Sequence, residues 1–256
     1  MRNVLAVAWR DIRAMFVSPI AYVVLTGFLL LGGWFFFNMF NQFNTAVRMY
    51  GGLQSYDTAW LNLNDAVVAP LIQNLSVVLL IVIPMITMRS FAEERSNGTF
   101  ELLFTSPLRV SEIVLGKFLA GAFLVTLMVG LSLIYPGILL YYGNPEPGLI
   151  TTGFLGLYLV SISYVAVGNF TSSLTSNQII AGVSALVILL LLFVVSWPAQ
   201  GASETPKAIL QYLSVTDHLS QMIRGVLDTK DFIYFGSLIF VFLFLTHRAV
   251  ESARWK

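Results

Sequence analysis

The side chains with the greatest chemical capacity lie in one charged stretch, residues 89–117, between two long apolar segments. Glu93, Glu94 and Arg95 are consecutive there, so a short helix would present all three at a membrane surface. Gly98 follows, and glycine tolerates the left-handed conformation with which many helices end. The stretch therefore predicts a short charged helix with a defined stop, whose charges could bind a partner protein.

The second half of the same stretch predicts two further helix boundaries. Thr99 can cap a second helix, with Glu101 in its first turn opposing the positive end of the helix dipole. Pro107 would end that helix, and Ser111-Glu112 would begin the next. A compact block of this kind could pass a push from a partner to both neighbouring spans. An ordinary solvated loop with capped helices fits the same residues equally well.

A second polar set precedes the last apolar segment and consists of His218, Arg224, Asp228 and Asp231. Arg224 and Asp228, four apart on a helix, would form an ion pair worth about a few tenths of a kcal/mol. A structural tie at the outer interface is favoured over substrate binding. A metal site at His218 is disfavoured, because the one other histidine, His247, is predicted on the opposite side of the membrane.

The sequence contains none of the common catalytic motifs. It has no Gly-x-x-x-x-Gly-Lys-Ser/Thr loop, no Gly-x-Ser-x-Gly, no His-Glu-x-x-His and no cysteine. Its apolar segments hold no acidic or basic residue in their interiors, which weakens an ion-coupled carrier. We therefore expect a protein that is not an enzyme and binds no cofactor or metal itself.

The composition is that of a membrane protein. Hydrophobic residues make up 57% of the 256 residues and charged residues only 11%, against about 25% in a typical soluble domain. The net charge of +1 gives no basic footprint for nucleic acid. Six segments approach the roughly 20 mainly apolar residues that cross a bilayer as a helix. They are residues 20–40, 70–88, 118–142, 149–170, 179–197 and 232–247, the last only 16 residues long.

The basic residues predict the orientation. With the N-terminus inside the cell, ten of the 14 Lys and Arg residues fall in cytoplasmic segments and four in external ones. Six spans then place both termini in the cytoplasm, with the protein in a bacterial inner membrane. The polar or mixed segments 41–69 and 198–231 become external, and the second should contain short interfacial or re-entrant helices. The whole chain forms one transmembrane domain.

The N-terminal residues 1–18 predict an amphipathic helix in the membrane interface. Its apolar residues, including Trp9, project on one arc, and its arginines on the opposite one. Ser18 and Pro19 suit the cap and first turn of the following span. An anchoring role and a gating role are both open.

The charged stretch resembles the coupling-helix region of type-two ABC exporter permeases. The resemblance is carried by residues 87–95, 98–99, 101–103, 105–107, 112–114 and 116–117, and by a second set at 218–219, 224–226, 228 and 231. The greatest resemblance is to the permease subunit of the gliding-motility-associated ABC transporter. The permeases of nitrous-oxide-reductase maturation and of sodium export are similar.

This resemblance implies that residues 91–105, beginning at Phe91, dock into a cleft on a separate cytosolic ATPase. Glu93, Glu94, Arg95 and Glu101 would contact that subunit, while Gly98 and Thr99 would shape the turn. ATP and Mg²⁺ would bind to the ATPase. A second permease chain, identical or different, would complete the transporter, and a periplasmic or membrane-anchored accessory protein is a further candidate partner.

Three functions compete. An ATP-driven exporter would move a solute, whereas a mechanical transmitter would use the ATPase strokes to act on a periplasmic partner with no solute crossing. An ATP-independent channel or carrier would keep its flux when any ATPase is removed. The sequence does not identify a substrate.

Overall fold

The computed structural model describes residues 2–50, 62–99, 108–198 and 204–253, and all regular elements within these ranges are helical. We number the α-helices in chain order, and a π-helical turn, Asn64–Val68, leads into α3. The helices are α1 Arg2–Val17, α2 Ile20–Tyr50, α3 Ala69–Thr87, α4 Arg89–Ser96, α5 Val110–Ser132, α6 Ile134–Tyr142, α7 Pro147–Leu174, α8 Gln178–Val194, α9 Glu204–Leu213, α10 Val215–Ile223 and α11 Thr229–Ala253.

Five helical stretches of the described residues are long and apolar enough to cross a membrane. They are Ile20–Met49, Asn64–Ser96, Val110–Tyr142, Pro147–Leu174 and Thr229–Ala253. Helix α8 is apolar but has only 17 residues, or about 25 Å, less than the roughly 30 Å of a bilayer core. The predicted all-α, multi-pass architecture is confirmed, and the count of six spans stays a prediction.

Two helices extend well beyond the apolar segments from which they were predicted. Helix α2 continues to Tyr50, so residues 41–50, predicted to be a polar external segment, prolong the first span helix. Helix α11 has 25 residues instead of 16. Hydropathy marks the part of a helix that suits lipid, whereas a helix ends where its hydrogen bonding ends. Polar residues past the lipid boundary therefore do not stop it.

The residues between α1 and α2 form the predicted cap. Helix α1 ends at Val17, and the backbone N–H of Ile20 donates to Ser18 Oγ at 3.4 Å. Pro19 adds no unsatisfied N–H at this position, because the first amides of a helix have no intrahelical acceptor. The regular helix is thus interrupted at Ser18 and Pro19, between the amphipathic helix and the first span.

Helix α7 occupies the centre of the bundle and packs against α3, α4, α5, α8, α10 and α11. Leu157, Val160 and Tyr164 on this helix are fully buried in the main apolar core. Ser161 is also buried, and its hydroxyl donates to the Leu157 carbonyl one turn back. A hydroxyl of this kind is satisfied within its own helix, so it can be buried in the middle of α7.

The third long stretch is interrupted between α5 and α6. Pro136 lies in the first turn of α6, where it has no N–H and its ring crowds the carbonyl of Ser132. The helix breaks at Leu133, between α5 and α6, and then resumes. Pro136 thus accompanies a one-residue break in this long apolar stretch.

Two ends of the bundle carry the polar residues of interest. The α4 end holds α1, α4, the start of α5 and the last turns of α7 and α11. The α10 end holds α9, α10 and the start of α11. Helix α8 runs between these ends, because Gly182 contacts Met88 near its start and the Phe193 carbonyl accepts from Thr216 near its finish.

Candidate functional site

Helix α4 is short and polar, and only two of its eight residues are buried. Phe91 is one of them, with no exposed surface, and it packs in a small apolar cluster at the α4 end. Val110, Ile113 and Val114 of α5 and Val250 of α11 complete that cluster. A single aromatic anchor therefore connects α4 to two long helices.

Ser172 of α7 fixes the start of α4. Its Oγ accepts hydrogen bonds from the backbone N–H groups of Phe91 at 2.9 Å and Ala92 at 3.1 Å. The same hydroxyl donates to the carbonyl of Met88 at 2.9 Å. The first amides of a helix have no partner within it, and a buried unpaired amide is costly. Ser172 thus ties α4 to the central helix by three hydrogen bonds.

Lys117 of α5 lies beneath α4 with only 3% of its side chain exposed. Its Nζ lies 3.0 Å from Glu94 Oε1 and 3.2 Å from Asp11 Oδ2, and it donates to the Ser90 carbonyl at 2.6 Å. The ammonium also lies 5.1 Å from the centre of the Phe91 ring. One buried cation therefore connects α5 with α1 and with α4.

Arg10 of α1 closes the cluster from the other side. Its Nη2 lies 2.8 Å from both Asp11 Oδ1 and Glu94 Oε1. Burial alone would lower the pKa of Arg10, but Asp11 and Glu94 together raise it above its ordinary value, so the guanidinium stays charged. We call Arg10, Asp11, Glu94 and Lys117 the four-charge network. Its two cations and two anions balance, which is the condition for burying charge.

The packing of α1 on α5 brings this network together. Gly116 leaves room for α1, since a Cβ at this position would lie 2.7 Å from Val7 and 3.1 Å from the Val4 carbonyl. At the start of α5, Asn3 Nδ2 donates to Glu112 Oε1 at 3.1 Å. The amphipathic helix is thus bound to the bundle by side chains along its length.

Gly98 provides the predicted stop of α4, which is confirmed. Its φ is +69°, and its N–H donates to the Arg95 carbonyl at 3.3 Å. The N–H of Thr99 donates to the Glu94 carbonyl at 3.0 Å, which completes a Schellman motif. Glu101 and Pro107 lie outside the described residues. Helix α5 begins at Val110, one residue before the predicted Ser111-Glu112 start.

The residues predicted to take part in ATPase coupling, by contact or by shaping the turn, differ in their exposure. Glu93, Gly98 and Thr99 are exposed at the α4 end. Phe91 is fully buried, and Glu94 points into the four-charge network. Arg95 is partly buried.

At the α10 end the structure brings two of the four predicted cluster residues together. His218 Nδ1 lies 2.6 Å from Asp231 Oδ1, and Nε2 lies 3.0 Å from the Tyr212 carbonyl, to which it must donate. The imidazole therefore has a hydrogen-bond partner at each of its two nitrogens within this buried cluster. The ring stacks on Tyr234 at 4.1 Å, which fixes its plane.

The other two residues of that set lie apart from the buried pair. Helix α10 ends at Ile223, so Arg224 and Asp228 do not share a helix and the predicted i,i+4 geometry is absent. Asp228 instead lies 3.1 Å from Lys230 Nζ, and the Lys230 backbone N–H donates to its Oδ1. That backbone hydrogen bond, with the Lys230 side chain, lowers the pKa of Asp228. Asp228 therefore caps α11, and the exposed Arg224 ends α10.

Comparison with known proteins agrees with this architecture. A sequence model of the family described as "ABC-2 family transporter protein" matches residues 52–246. The chain belongs to this family. A search of curated proteins found no match.

Membership as an ABC-2 permease implies association with an ATPase subunit and usually dimerisation. The matched region includes α4, Lys117 and the His218–Asp231 pair, and it begins after α1 and α2. Half of the four-charge network, Arg10 and Asp11, thus lies in a part of this permease that the family match does not cover.

Sequence reasoning did not assign a role to the residues that hold α4. The sequence resemblance covers Lys117 only as part of residues 116–117, and it includes neither Asp11 nor Ser172. The signal available for Lys117 was its position, a lysine directly before the apolar segment 118–142. No sequence pattern shows that it meets a carboxylate 106 residues away.

Proposed function

We propose that this ABC-2 permease is the membrane subunit of an ATP-driven ABC exporter and that a separate cytosolic ATPase docks on α4. The observation that carries the proposal is the attachment of α4. A helix of eight residues with two buried side chains is joined by hydrogen bonds or ion pairs to α1, α5 and α7. A push on α4 would therefore move three helices together.

We further propose that α8 crosses the bilayer as a sixth span and that the α4 end faces the cytoplasm of a bacterial cell. The bias of Lys and Arg supports this orientation. Both the first helix and the last turn of α11 lie at the α4 end, so in the proposed orientation both termini would be in the cytoplasm.

In the proposed cycle the ATPases, which bind ATP and Mg²⁺, approach each other beneath two permease chains. Each presses on α4 of its permease. Ser172 passes the motion to α7, Lys117 to α5 and Arg10 to α1. Because α7 contacts most of the bundle, its displacement changes the packing of the spans and opens a route for a substrate.

The exposure of the side chains supports a smaller docking surface than the sequence resemblance implies. Glu93 on α4, and Gly98 and Thr99 just after it, are exposed and form the proposed docking surface, to which Arg95 and Glu101 are added from the sequence resemblance. Phe91 and Glu94 are positioning residues, because their side chains hold α4 on the bundle. A charge reversal at Glu94 would thus disturb the packing of the permease itself. A substitution of the exposed Glu93 tests ATPase docking more specifically.

The experiment is a pulldown of the tagged chain from its native host in a mild detergent, with mass spectrometry of the recovered proteins. We compare the native chain with Glu93→Lys and with Glu251→Lys, which reverses a half-exposed carboxylate at the same end. Recovery of an ABC-type ATPase that is lost only in Glu93→Lys supports docking on α4. Recovery that is unaffected by Glu93→Lys contradicts the docking site, and absence of any ATPase in several detergents contradicts the exporter.

A mechanical transmitter is the second candidate. Ile209, Tyr212 and Leu213 of α9 are exposed at the proposed outer end, where a periplasmic accessory protein could bind them. A co-purifying periplasmic protein, with ATPase activity that no candidate solute changes, would favour this function. Assignment to the gliding-motility branch is likewise a proposal, and it rests on the sequence resemblance alone.

A further inference from the structure

A cleft of about 450 Å³ lies at the α4 end between α1, α2, the α3–α4 junction and α5. One part of its wall is the four-charge network together with Arg89 and Glu93. Another part is apolar and includes Val24, Met85, Ile86 and Leu124. The lining therefore combines a charged region with a hydrocarbon-like region.

The two kinds of lining are separated along the helix axes. Met85 precedes Arg89 by four residues and Leu124 follows Lys117 by seven, which corresponds to depths of about 6 and 10 Å. Met85 and Ile20 are 56% and 38% exposed, so the cleft is open at the side of the bundle. In a bilayer this opening faces lipid at the depth where headgroups meet acyl chains.

Two charged side chains in the cleft, Arg89 and Glu93, are available to bind a ligand. The four-charge network neutralises itself. Arg89 and Glu93 are exposed, and neither has an ion-pair partner within the part of the chain that the structure describes. They lie four residues apart on α4, with the arginine first, which is the less favourable order for a helical ion pair. The cleft thus offers one cation and one anion on the same helix face.

We propose that this cleft binds the headgroup of phosphatidylethanolamine from the surrounding bilayer. Arg89 would bind the phosphate, since guanidinium forms strong paired hydrogen bonds to phosphate oxygens. Glu93 would accept hydrogen bonds from the primary ammonium group, two carbons from the phosphate. The first methylenes of an acyl chain would cover Val24, Met85 and Leu124. The site shares Glu93 with the proposed docking surface, but Arg89 and the apolar wall belong to the cleft alone, so lipid binding can be tested on the chain without an ATPase.

The chemistry distinguishes this lipid from its neighbours. Phosphatidylcholine has the same charges, but its quaternary ammonium has no N–H to donate to Glu93. Phosphatidylglycerol has the phosphate without a cation, so Glu93 would be left unpaired beside a net negative headgroup. Both lipids would bind more weakly than phosphatidylethanolamine.

The test is native mass spectrometry of the intact purified chain in detergent, titrated with each of the three lipids. We expect phosphatidylethanolamine adducts to exceed the other two at equal concentration. Arg89→Gln and Glu93→Gln should each weaken them roughly tenfold, the loss of one charge-assisted contact. Arg89→Lys keeps the charge and should retain part of the binding.

Arg13→Gln is the matched control, because Arg13 is an exposed guanidinium on α1 that does not line the cleft. Its adducts should equal those of the native chain. Equal binding of the three lipids by the native chain would overturn the proposal. Equal losses in Arg13→Gln and Arg89→Gln would overturn it as well, since binding would then follow total charge. Size-exclusion profiles confirm that each variant is folded.

Discussion

Lys117 shows how one residue can hold three elements together. A nearly fully buried ammonium is unfavourable by itself, and here two carboxylates, a carbonyl and an aromatic face compensate it. The carboxylates of Asp11 and Glu94 are in turn mostly buried, so they depend on the lysine. Removing the lysine leaves the half-exposed Arg10 as the one cation beside two mostly buried carboxylates in the four-charge network, which makes the site sensitive to substitution.

We expect Lys117→Met to destabilise the protein by about 3 kcal/mol, the usual cost of removing one partner from a buried ion pair. Adding Glu94→Gln to that variant should restore part of the loss, because it removes one of the opposed carboxylates. Thermal unfolding in detergent measures both effects. Lys230→Met is the control, since its half-exposed pair with Asp228 is screened by solvent and contributes little to stability. Equal melting temperatures for the two lysine variants would contradict the network.

The His218–Asp231 pair gives a second expectation at this scale. Both side chains are buried, so His218→Phe leaves an unpaired carboxylate and Asp231→Leu leaves an imidazole without its acceptor. We expect each single variant to melt lower than the double variant His218→Phe/Asp231→Leu, in which neither polar side chain of the pair is left without the other. A double-mutant cycle on melting temperature measures this coupling. Additive effects would show that the two side chains do not act as a pair.

At the scale of elements, α4 depends on groups from other helices. Its own buried surface is small, and its first amides are satisfied by a hydroxyl from α7 rather than by a cap of its own. An element held in this way moves as its supports move. Local stability of α4 is therefore a direct measure of its connection to α7.

We expect Ser172→Ala to increase hydrogen exchange in α4, because two amides lose their acceptor at a cost of about 1–3 kcal/mol. Ser161→Ala is a matched control on the same helix. Ser161 is equally buried, but it donates to the Leu157 carbonyl of its own helix and contacts no amide of α4. Exchange in α4 should be unchanged in that variant. Identical exchange in α4 for both variants would mean that Ser172 does not anchor it.

The packing of α1 on α5 depends on the absence of a side chain at Gly116. Gly116→Ala would place a Cβ 2.7 Å from Val7, so α1 must shift, and we expect a loss of about 1–3 kcal/mol. Gly130→Ala on the same helix meets nothing within 4 Å and should be neutral or stabilising by about 0.5 kcal/mol. Hydrogen exchange in α1, together with melting temperature, separates the two. Faster exchange in α1 for both variants would contradict the close packing at Gly116.

At the scale of the whole molecule, hydropathy was a good guide to the existence of the helices and a poor one to their lengths. The apolar segments 20–40 and 232–247 were parts of helices that continue into polar sequence. The end of α4 was predictable, since Asn97-Gly98 encodes its stop locally. The four-charge network could not be predicted from the sequence. Asp11, Glu94 and Lys117 meet through the packing of distant segments, and no local pattern carries that information.

The open question at this scale is whether α8 crosses the membrane. Its 17 residues are few, yet it connects the α4 end to the α10 end, between the same limits as the longer α3. No charged side chain opposes a crossing of the bilayer, because α8 contains none. Crossing the bundle from end to end requires crossing the bilayer, provided that both ends reach water. The number of spans therefore follows from the side on which the last helix ends.

We expect Thr99 and Ser252 to lie on one side of the membrane and Asn144 on the other. Four crossings separate residues 99 and 252 if α8 is a span, and three if it is not. The chain has no cysteine, so Thr99→Cys, Ser252→Cys and Asn144→Cys each give a single labelling site. In intact cells a membrane-impermeant maleimide should label only Asn144→Cys, and the other two should react after permeabilisation. Labelling of Ser252→Cys in intact cells, with Thr99→Cys protected, would show that α8 does not cross.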